Sequence, residues 1–299
     1  MLPKRTMQAV VSIFCGGGAP DSSKLRQFTK TALNEHSWTP LDYGRKTQSY
    51  LVLSRLIQQC PIERLKVLEE IRLSRFPSLA HYHYFIDRAA KEKSDCQADV
   101  TNGFYVIDNQ GNLESTASTL VPFFSAIPAW SGYNTANPKS DVMSAELFKR
   151  SLYVFCGHGS GSDAVGGWGR LVRKGIKAHC HLIGCSSGRL REVGRTDPRG
   201  TPLKILDSGA PSCLSLLWSV TDRDIDRYTL RLYADWFAGK RSSQEPGASL
   251  ARFIKKAEVA CKLGPLNGGA VVNYGLVPCC TKVPQNWDKG LPSSINYTA

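Results

Sequence analysis

Two residues capable of covalent catalysis stand in similar glycine-rich surroundings. His158 is flanked by Gly157 and Gly159, and Cys185 follows Gly184, 27 residues further along the chain. A thiolate is a strong nucleophile that needs a nearby base or cation to form near neutral pH, and histidine supplies such a base. The pattern indicates a cysteine nucleophile with a histidine base, while the spacing alone fits two packing residues equally well.

The backbone around these residues is also suited to acyl transfer. The flanking glycines let the chain approach a substrate closely. The amides of Gly159 and Cys185 are candidate donors to the oxyanion that forms when a nucleophile attacks a carbonyl carbon. We expect an oxyanion hole built from these two N–H groups.

The segment from Gly184 to Gly188 also fits the glycine-x-serine-x-glycine pattern of α/β-hydrolases, with Ser186 as nucleophile. That fold places its catalytic histidine after the nucleophile in the chain. The last histidine of this sequence is His181, before Ser186. Chain order therefore excludes a serine hydrolase.

Metal and nucleotide sites are not expected. His179, Cys180, His181 and Cys185 are close in sequence, but their spacing matches no zinc pattern. The glycine-rich stretch 157–167 lacks the lysine and Ser/Thr of a phosphate-binding loop. We expect chemistry without a metal or another cofactor, and His179 and His181 to be packed or hydrogen-bonded.

Three aspartates, Asp222, Asp224 and Asp226, lie in the first turns of a predicted helix. Acidic residues at a helix start cap backbone N–H groups and complement the helix dipole. Carboxylates also bind guanidinium through paired hydrogen bonds. The two roles remain open, and one or two of the three acids would suffice for each.

The elements that must position these groups indicate an α/β fold. Apolar runs predict buried strands over 152–156, 178–183 and 213–217, and helices over 143–150, 222–237 and 249–263. Short apolar strands separated by helices form mostly parallel sheets that are covered on both faces. His158, Cys185 and the aspartates each follow a strand, at the edge where such sheets bind ligands.

The first half of the chain is predicted less uniformly. Residues 45–76 have helix-like apolar spacing, residues 81–100 are polar and predict a connection, and residues 104–113 predict a β-hairpin. Residues 125–142 predict a loop before the helix that starts at Met143. The apolar stretch from Met7 to Cys15, after Lys4 and Arg5, resembles a short targeting segment, although a buried strand fits as well.

Composition limits the remaining classes. The chain has 299 residues with 42% hydrophobic residues, and no apolar run approaches the length that crosses a bilayer, so no membrane partner is expected. Cys156, Cys180 and Cys213 lie in apolar runs, where free thiols are expected. The net charge is +13, and residues 151–200 carry eight basic and three acidic groups. A solvated basic face explains this charge, and a weak or indirect association with DNA through that face is the alternative.

Three segments resemble the separase family, which belongs to the caspase-like group of cysteine peptidases. They are LYVFCGHGSG at 152–161, HLIGCSSG at 181–188 and LWSVTDRDIDRYT at 217–229. FYVIDNQGNL at 104–113 and NYGLV at 273–277 are weaker matches, and Ser219 stands where the family usually has Asp. The order and spacing of the three segments make the resemblance specific over residues 100–280.

The resemblance implies a caspase-like three-layer sandwich with a mostly parallel sheet, preceded by a short helical region. It implies His158 as base and Cys185 as nucleophile, with cleavage after arginine. Asp226 matches the residue that binds the arginine side chain, and Asp222 and Asp224 would shape the same helix start. Leu217 and Trp218 would pair with the extended substrate backbone.

The resemblance also implies biological partners. The substrate would be the kleisin subunit of cohesin, the inhibitor would be securin, and the process would be sister-chromatid separation at anaphase. The expected location is the nucleus and cytoplasm, with spindle association in dividing cells. A catalytically silent relative that binds the same partners and a basic scaffold that binds nucleic acid are the competing classes.

We expect three regions: a mainly helical region at 1–100, a remnant of an adjoining scaffold or pseudo-protease domain; a peptidase domain at 101–282; and a tail at 283–299. Separases usually carry a large helical region before the catalytic part, so the chain is either a fragment of a longer protein or an unusually short relative.

Overall fold

The structure, a computed structural model, describes residues 48–52, 72–76, 79–91, 96–162, 175–191, 198–239 and 248–282. Several features considered in the sequence lie outside the described residues. They are the apolar stretch from Met7 to Cys15, the tail predicted at 283–299, and Arg170, Arg173, Lys174 and Arg195 of the basic region.

A sheet of eight strands forms the centre of the described chain, in the spatial order β1-β2-β10-β8-β7-β6-β4-β5. The strands are β1 (Gln48–Val52), β2 (Arg72–Phe76), β4 (Gly103–Ile107), β5 (Ser131–Asn134), β6 (Leu152–Cys156), β7 (His179–Ile183), β8 (Ser212–Leu216) and β10 (Val271–Gly275). All neighbouring pairs are parallel except β8 with β10. A smaller sheet joins β3 (Gln97–Asp99), β11 (Cys279–Lys282) and β9 (Ala248–Ser249).

Helices cover both faces of the large sheet. They are α1 (Leu79–Lys91), α2 (Glu114–Ser125), α3 (Ser140–Lys149), α4 (Thr201–Asp207), α5 (Asp222–Ala238), α6 (Ala251–Lys256) and the single turn α7 (Gly264–Asn267), with 3-10 turns at Ala257–Ala260 and Gly268–Ala270. One core contains residues of α1, α3 and α4, and the other contains residues of α2, α5 and α6. The three-layer α/β sandwich with a mostly parallel sheet is therefore confirmed.

The central strands form because most of their side chains are apolar and can be buried on both faces of the sheet. Every residue of β4, β6, β7 and β8 is buried. Continuous burial is typical of parallel strands with helices on both sides. The strands predicted from apolar runs at 152–156, 178–183 and 213–217 are confirmed to within one residue at each end. Cys156, Cys180 and Cys213 are free buried thiols, as predicted.

The helix predicted over residues 45–76 is wrong wherever the structure describes that stretch. Gln48–Val52 and Arg72–Phe76 are strands that pair in parallel, and residues 53–71 lie outside the described residues. Short apolar runs do not distinguish a buried strand from a buried helix by periodicity. The helix-like spacing of the leucines therefore led to a helix prediction where the structure has strands.

The connection predicted over 81–100 is instead largely the helix α1. This helix buries one face, which consists of Tyr82, Phe85 and Ala89 at helical spacing. The polar residues between them obscured this face in the sequence. The prediction of a connection is wrong over residues 81–91, which belong to this helix.

The hairpin predicted at 104–113 is also wrong. Strand β4 and the turn after it are present, but the chain continues into helix α2 rather than a second strand. The Asp108 carboxylate accepts the amides of Asn112 and Leu113, both at 2.9 Å, which directs the chain toward the helix. Within the loop predicted at 125–142, Ser131–Asn134 forms an edge strand, and helix α3 begins at Ser140.

The large sheet joins the two ends of the described chain. Arg75 of β2 pairs with Tyr274 of β10, and Ser74 Oγ donates to the Gly275 carbonyl at 2.6 Å. Strands before residue 100 therefore share a sheet with strands of the predicted peptidase region. The division at residue 100 stays a prediction. Among the described helices, none combines the length and apolar character needed to cross a bilayer.

Candidate active site

The ends of β6 and β7 bring His158 and Cys185 to the same edge of the sheet. The two strands are parallel neighbours, and Cys156 is paired with Ile183 in register. His158 comes two residues after Cys156, and Cys185 comes two residues after Ile183. Because the strands run in the same direction and end level, both residues leave the sheet at one place.

The two loops that carry these residues are in direct contact. Gly157 N–H donates to the Ile183 carbonyl at 3.3 Å. A Cβ atom added to Gly184 would overlap the carbonyl oxygen of Gly159 and lie 2.7 Å from that of Gly157. Only glycine fits at residue 184 while the loops stay this close. The backbone on both sides of His158 thus lies against the residue that precedes Cys185.

The thiol of Cys185 is half-buried against the chain after β8. Its Sγ lies 3.4 Å from both the amide nitrogen and the carbonyl oxygen of Val220. The amide is a donor that would stabilise a thiolate, and the carbonyl accepts the thiol proton while it is present. Val220 thereby positions the sulfur, a role that no pattern in the sequence indicated.

The turn that carries Cys185 is fixed to strand β8. Ser186 has a φ of 58°, a left-handed conformation that is uncommon for a residue with a side chain. Its amide donates to the Trp218 carbonyl at 3.1 Å. Ser187 Oγ donates to the Leu182 carbonyl at 2.7 Å and accepts the Leu216 amide at 3.0 Å. Ser187 therefore links the end of β7 to the end of β8.

His158 and Gly159 lie at the surface of this edge. His158 is exposed, and Gly159 has a φ of 69° with no atom within 4 Å of an added Cβ. Within the part of the chain that the structure describes, the amides of Gly159 and Cys185 donate no hydrogen bond. Two unused N–H groups beside a thiol fit an oxyanion hole, and the roles of these residues stay predictions.

The three aspartates of α5 have different surroundings. Asp222 is exposed, whereas Asp224 and Asp226 are buried. Asp224 accepts the amides of Lys262 and Leu263, both at 2.9 Å, rather than those of its own helix start. The alternative of simple helix capping therefore does not describe Asp224.

Burial raises the pKa of Asp224, but hydrogen bonds from Asn267, the amides of Leu263 and Lys262, and Arg227 outweigh burial and lower the pKa to about 2. This carboxylate is charged at neutral pH and is already satisfied inside the protein.

Asp226 lies where α5 meets α2 and the end of β6. Its Oδ2 accepts a hydrogen bond from the Thr116 hydroxyl at 2.9 Å. The pKa of the Cys156 thiol is raised mainly by burial and secondly by the charge of Asp226. Burial raises the pKa of Asp226 to about 7, with a smaller increase from Asp222 that opposes the effects of Thr116 and Arg227. This buried carboxyl exchanges its proton near neutral pH and lies close enough to Cys156, two residues before His158, to raise the pKa of its thiol. Such a carboxyl is suited to receive a cationic side chain.

The predicted pairing site at Leu217 and Trp218 is restricted by the protein's own hydrogen bonds. Strand β8 has β7 on one side and β10 on the other, so it has no free edge for a substrate strand. Leu217 is buried, and its amide donates to the Ala270 carbonyl at 2.9 Å. Trp218 is half-buried, with its Nε1 donating to the Leu266 carbonyl at 2.7 Å. Substrate pairing through this segment stays a prediction and is confined to the chain beyond β8.

His179 and His181 are packed and hydrogen-bonded, as expected. His179 Nδ1 lies 2.8 Å from Ser212 Oγ, and His181 Nδ1 lies 2.5 Å from the Tyr233 hydroxyl. Burial lowers the pKa of His179 to about 4 and that of His181 to about 3, so both are neutral at pH 7. No group of three or more metal-ligating side chains occurs among the described residues.

Comparison with known proteins shows similarity to one family over most of the chain. Residues 20–225 match the family model "Separin, protease domain". Separin of Emericella nidulans is 33% identical over 243 residues, which cover 78% of this chain and 12% of that protein. Separin of Mus musculus is 32% identical over 276 residues, which cover 91% of this chain and 13% of that protein. The chain thus spans about an eighth of the length of these relatives.

Solved structures show the same fold. Two crystal structures of the Saccharomyces cerevisiae separase-securin complex superpose with TM-scores of 0.70 and 0.69, each at 25% identity over 87% of this chain. The matched part is 17% and 18% of the respective yeast chains. The caspase-like α/β architecture expected from the three sequence segments is confirmed.

Proposed function

The chain belongs to the separin protease-domain family, and on that basis we propose that it is a cysteine endopeptidase in which Cys185 is the nucleophile and His158 the base. One observation carries the proposal. Both residues follow parallel strands that end in register, and the glycines beside His158 contact the glycine before Cys185. This arrangement supports a thiol and an imidazole acting on the same scissile bond.

The proposed reaction proceeds in two stages. His158 takes the proton of the Cys185 thiol, and the thiolate attacks the carbonyl carbon of the scissile bond. The Gly159 and Cys185 amides donate to the oxyanion. The carbon–nitrogen bond breaks as His158 protonates the leaving amine, and a thioester remains on Cys185. Water, deprotonated by His158, then attacks the thioester and releases the carboxylic acid and the free thiol.

We assign the preference for arginine to Asp226. The helix start lies next to Val220, which touches the Cys185 sulfur, and Asp226 is one helical turn, about 6 Å, further along α5. Its carboxyl has a hydrogen bond from Thr116 that holds it in place. A guanidinium bound there would stabilise the carboxylate and displace its proton. Asp222 would add negative charge at the entrance, where it is exposed.

The proposed substrate is the kleisin subunit of cohesin, and the proposed inhibitor is a securin-like protein that occupies the same cleft. A securin-like partner is supported by the similarity of this chain to the separase of the yeast complexes. Cleavage of kleisin would release sister chromatids in dividing cells, in the nucleus and cytoplasm. The chain covers only about an eighth of the length of the Emericella nidulans and Mus musculus separins, so recognition of these partners by the whole protein is part of the proposal.

Cleavage of a fluorogenic arginine peptide tests this proposal. The wild-type chain is expected to release the fluorophore on the carboxyl side of arginine, and Cys185→Ser to reduce the rate to background while its affinity for the peptide stays within about twofold. A catalytically silent relative would bind the peptide and cleave it in neither form. A Cys185→Ser variant that turns over at the wild-type rate would refute the assignment of the nucleophile.

A further inference from the structure

Two leucines beside the proposed cleft are exposed on a single turn. Leu263 is 51% exposed and Leu266 is 55% exposed. The Leu266 amide donates to the Leu263 carbonyl at 3.0 Å, so both side chains belong to the turn that leads through α7. Single exposed leucines are ordinary on protein surfaces. Their position relative to the nucleophile and the way the turn is held distinguish this pair.

The turn at residues 263–267, called the leucine turn below, is connected to the turn that carries Cys185 through the segment 218–221. On one side of that segment, the Trp218 carbonyl accepts the Ser186 amide at 3.1 Å. On the other side, Trp218 Nε1 donates to the Leu266 carbonyl at 2.7 Å, and Asn267 Nδ2 donates to Thr221 Oγ1 at 2.9 Å. The leucine turn therefore lies one chain segment away from the Cys185 turn, with the half-buried Trp218 ring between them.

The leucine turn is held in place by Asp224. This buried carboxylate accepts the amides of Lys262 and Leu263 and the Asn267 side-chain amide at 2.7 Å, and it forms an ion pair with Arg227. Four partners on one carboxylate fix the backbone of the turn relative to α5. Because these bonds fix the turn, the two leucines are exposed as part of the folded structure.

We infer that Leu263, Leu266 and Trp218 form an apolar subsite for one side chain of the extended peptide that is cleaved at Cys185, with Asp224 as its positioning residue. The inference rests on the proposed function, because the occupant is the peptide substrate of that reaction. An extended peptide advances about 3.3 Å per residue. A peptide that leaves Cys185 and crosses the 218–221 segment reaches the leucines within a few residues of the cleaved bond.

The chemistry of the occupant follows from the surface. The proposed walls are the exposed side chains of Leu263 and Leu266 and the half-buried indole of Trp218, which favour Leu, Ile, Val, Met or an aromatic ring. Asp224 is neutralised within the protein, so the subsite offers no free carboxylate for a basic side chain. The arginine preference and the apolar preference therefore belong to different groups, Asp226 for the first and the leucine turn for the second.

Binding of a peptide panel tests the subsite without requiring turnover. The panel consists of fluorescein-labelled octapeptides with one central arginine, otherwise serine and alanine, in which a single leucine moves through every remaining position. Affinities are measured by anisotropy on Cys185→Ser and on the same variant carrying Leu263→Asn and Leu266→Asn. Val259→Asn is the matched control, because Val259 is 76% exposed on the same segment and has no hydrogen bond to residues 218–221.

We expect leucine at one position to tighten binding about fivefold or more over serine. The preference for leucine over serine is lost when Leu263→Asn and Leu266→Asn are combined, and it is retained with Val259→Asn. In Asp224→Asn the preference for leucine is reduced, whereas the preference for an arginine peptide over a citrulline peptide persists. An equal affinity for leucine and serine at every position, or a leucine preference that survives in the double variant, would overturn the inference.

Labelling of Cys185 by an arginine-ending acyloxymethyl ketone, measured on the protein with its native cysteine, separates the two proposals. Labelling of the wild-type chain together with an absent leucine preference refutes the subsite and leaves the proposed function intact. No labelling and no binding of any arginine peptide refutes both.

Discussion

At the scale of single residues, the three aspartates at the start of α5 differ in what their carboxylates contact. Asp224 is a charged internal anchor, Asp226 is a buried carboxyl with one bond from Thr116, and Asp222 faces solvent. The sequence predicted the cluster but not this division. Apart from Arg227, the partners of Asp224 lie about 40 residues away in the chain, and Thr116 lies 110 residues from Asp226, so no local pattern connects them.

The raised pKa of Asp226 predicts a pH dependence of arginine binding. The free protein holds this carboxyl largely protonated below pH 7, so a guanidinium must displace the proton, and its affinity increases as pH rises from about 5.5 to 8. Fluorescence anisotropy of a labelled arginine peptide with the Cys185→Ser variant measures this affinity. We expect it to increase about tenfold over that pH range.

The citrulline version of that peptide is the control, because it is neutral and should bind with little dependence on pH. Asp226→Asn should remove the difference between the two peptides. An arginine affinity that is constant from pH 5.5 to 8 would show that Asp226 does not bind the guanidinium.

At the scale of elements, the site depends on two loops that can touch only because both are rich in glycine. Gly184 has no room for a Cβ atom beneath the His158 loop. The sequence allowed this juxtaposition to be predicted, because continuous apolar runs identified β6 and β7 and a crossover of the right length made them neighbours. It did not identify β1, β2 or α1, because leucines at helix-like spacing indicated a helix across the two strands and polar residues obscured the buried face of α1.

Gly184→Ala is expected to separate the two loops and slow alkylation of Cys185 by an arginine ketone at least tenfold, since the added methyl group overlaps the Gly159 carbonyl. The measurement is the rate of labelling by intact mass. Gly175→Ala is the matched control: Gly175 is exposed, has a φ of 75° and open space around an added Cβ, so only mild backbone strain is introduced. A wild-type rate in Gly184→Ala would contradict the proposed contact between the loops.

Asp224 makes the contact between α5 and the leucine turn sensitive to acid. A carboxyl whose pKa is lowered to about 2 in the folded protein, from 3.8, stabilises the fold above pH 3.8 and loses that contribution as the pH falls toward 2. We expect Asp224→Ala to lower the free energy of unfolding at pH 7 by about 3 kcal/mol, because it leaves buried donors without an acceptor.

Urea unfolding at pH 7, 5 and 3 would measure both effects. The difference in the free energy of unfolding between wild type and Asp224→Ala should be the same at pH 7 and pH 5, and smaller at pH 3. Asp222→Ala, which removes an exposed carboxylate of the same helix turn, is the control and should change the free energy of unfolding by less than about 0.5 kcal/mol. A difference that grows as the pH falls would contradict the assigned role of Asp224.

At the scale of the whole molecule, one sheet connects residues from both ends of the described chain. Ser74 and Asn273 are hydrogen-bonded across β2 and β10, and Phe76, Tyr82 and Phe85 complete the core on that side. The fold class was predictable because strand and helix patterns alternate along the second half of the chain. The contribution of β1, β2 and α1 to the sheet was not, because pairing between residues 200 positions apart leaves no periodic signal.

Removal of residues 1–100 is therefore expected to abolish cooperative unfolding, since it exposes one edge of β10 and deletes three buried aromatic side chains, each worth about 2 kcal/mol. Thermal unfolding followed by circular dichroism measures this. A chain that ends at residue 282, without the predicted tail, is the control and should unfold like the full chain. Cooperative unfolding of residues 101–299 at the wild-type midpoint would instead support a domain boundary at residue 100.

The basic surface is the other property of the whole molecule. Lys177, Arg189, Arg191 and Arg199 of the basic region are exposed. The association of this face with DNA stays a prediction.

Covalent labelling with an arginine-ending acyloxymethyl ketone peptide, read by intact mass and peptide mapping, tests whether Cys185 and His158 act as a catalytic pair. We expect one adduct on Cys185 in the wild-type chain, its loss in His158→Ala, and continued labelling in His81→Ala, which changes a histidine paired with Asp207. Folding of each variant is verified by thermal unfolding. No adduct on the folded wild-type chain, or an undiminished adduct in His158→Ala, would contradict the assignment of a cysteine and histidine pair.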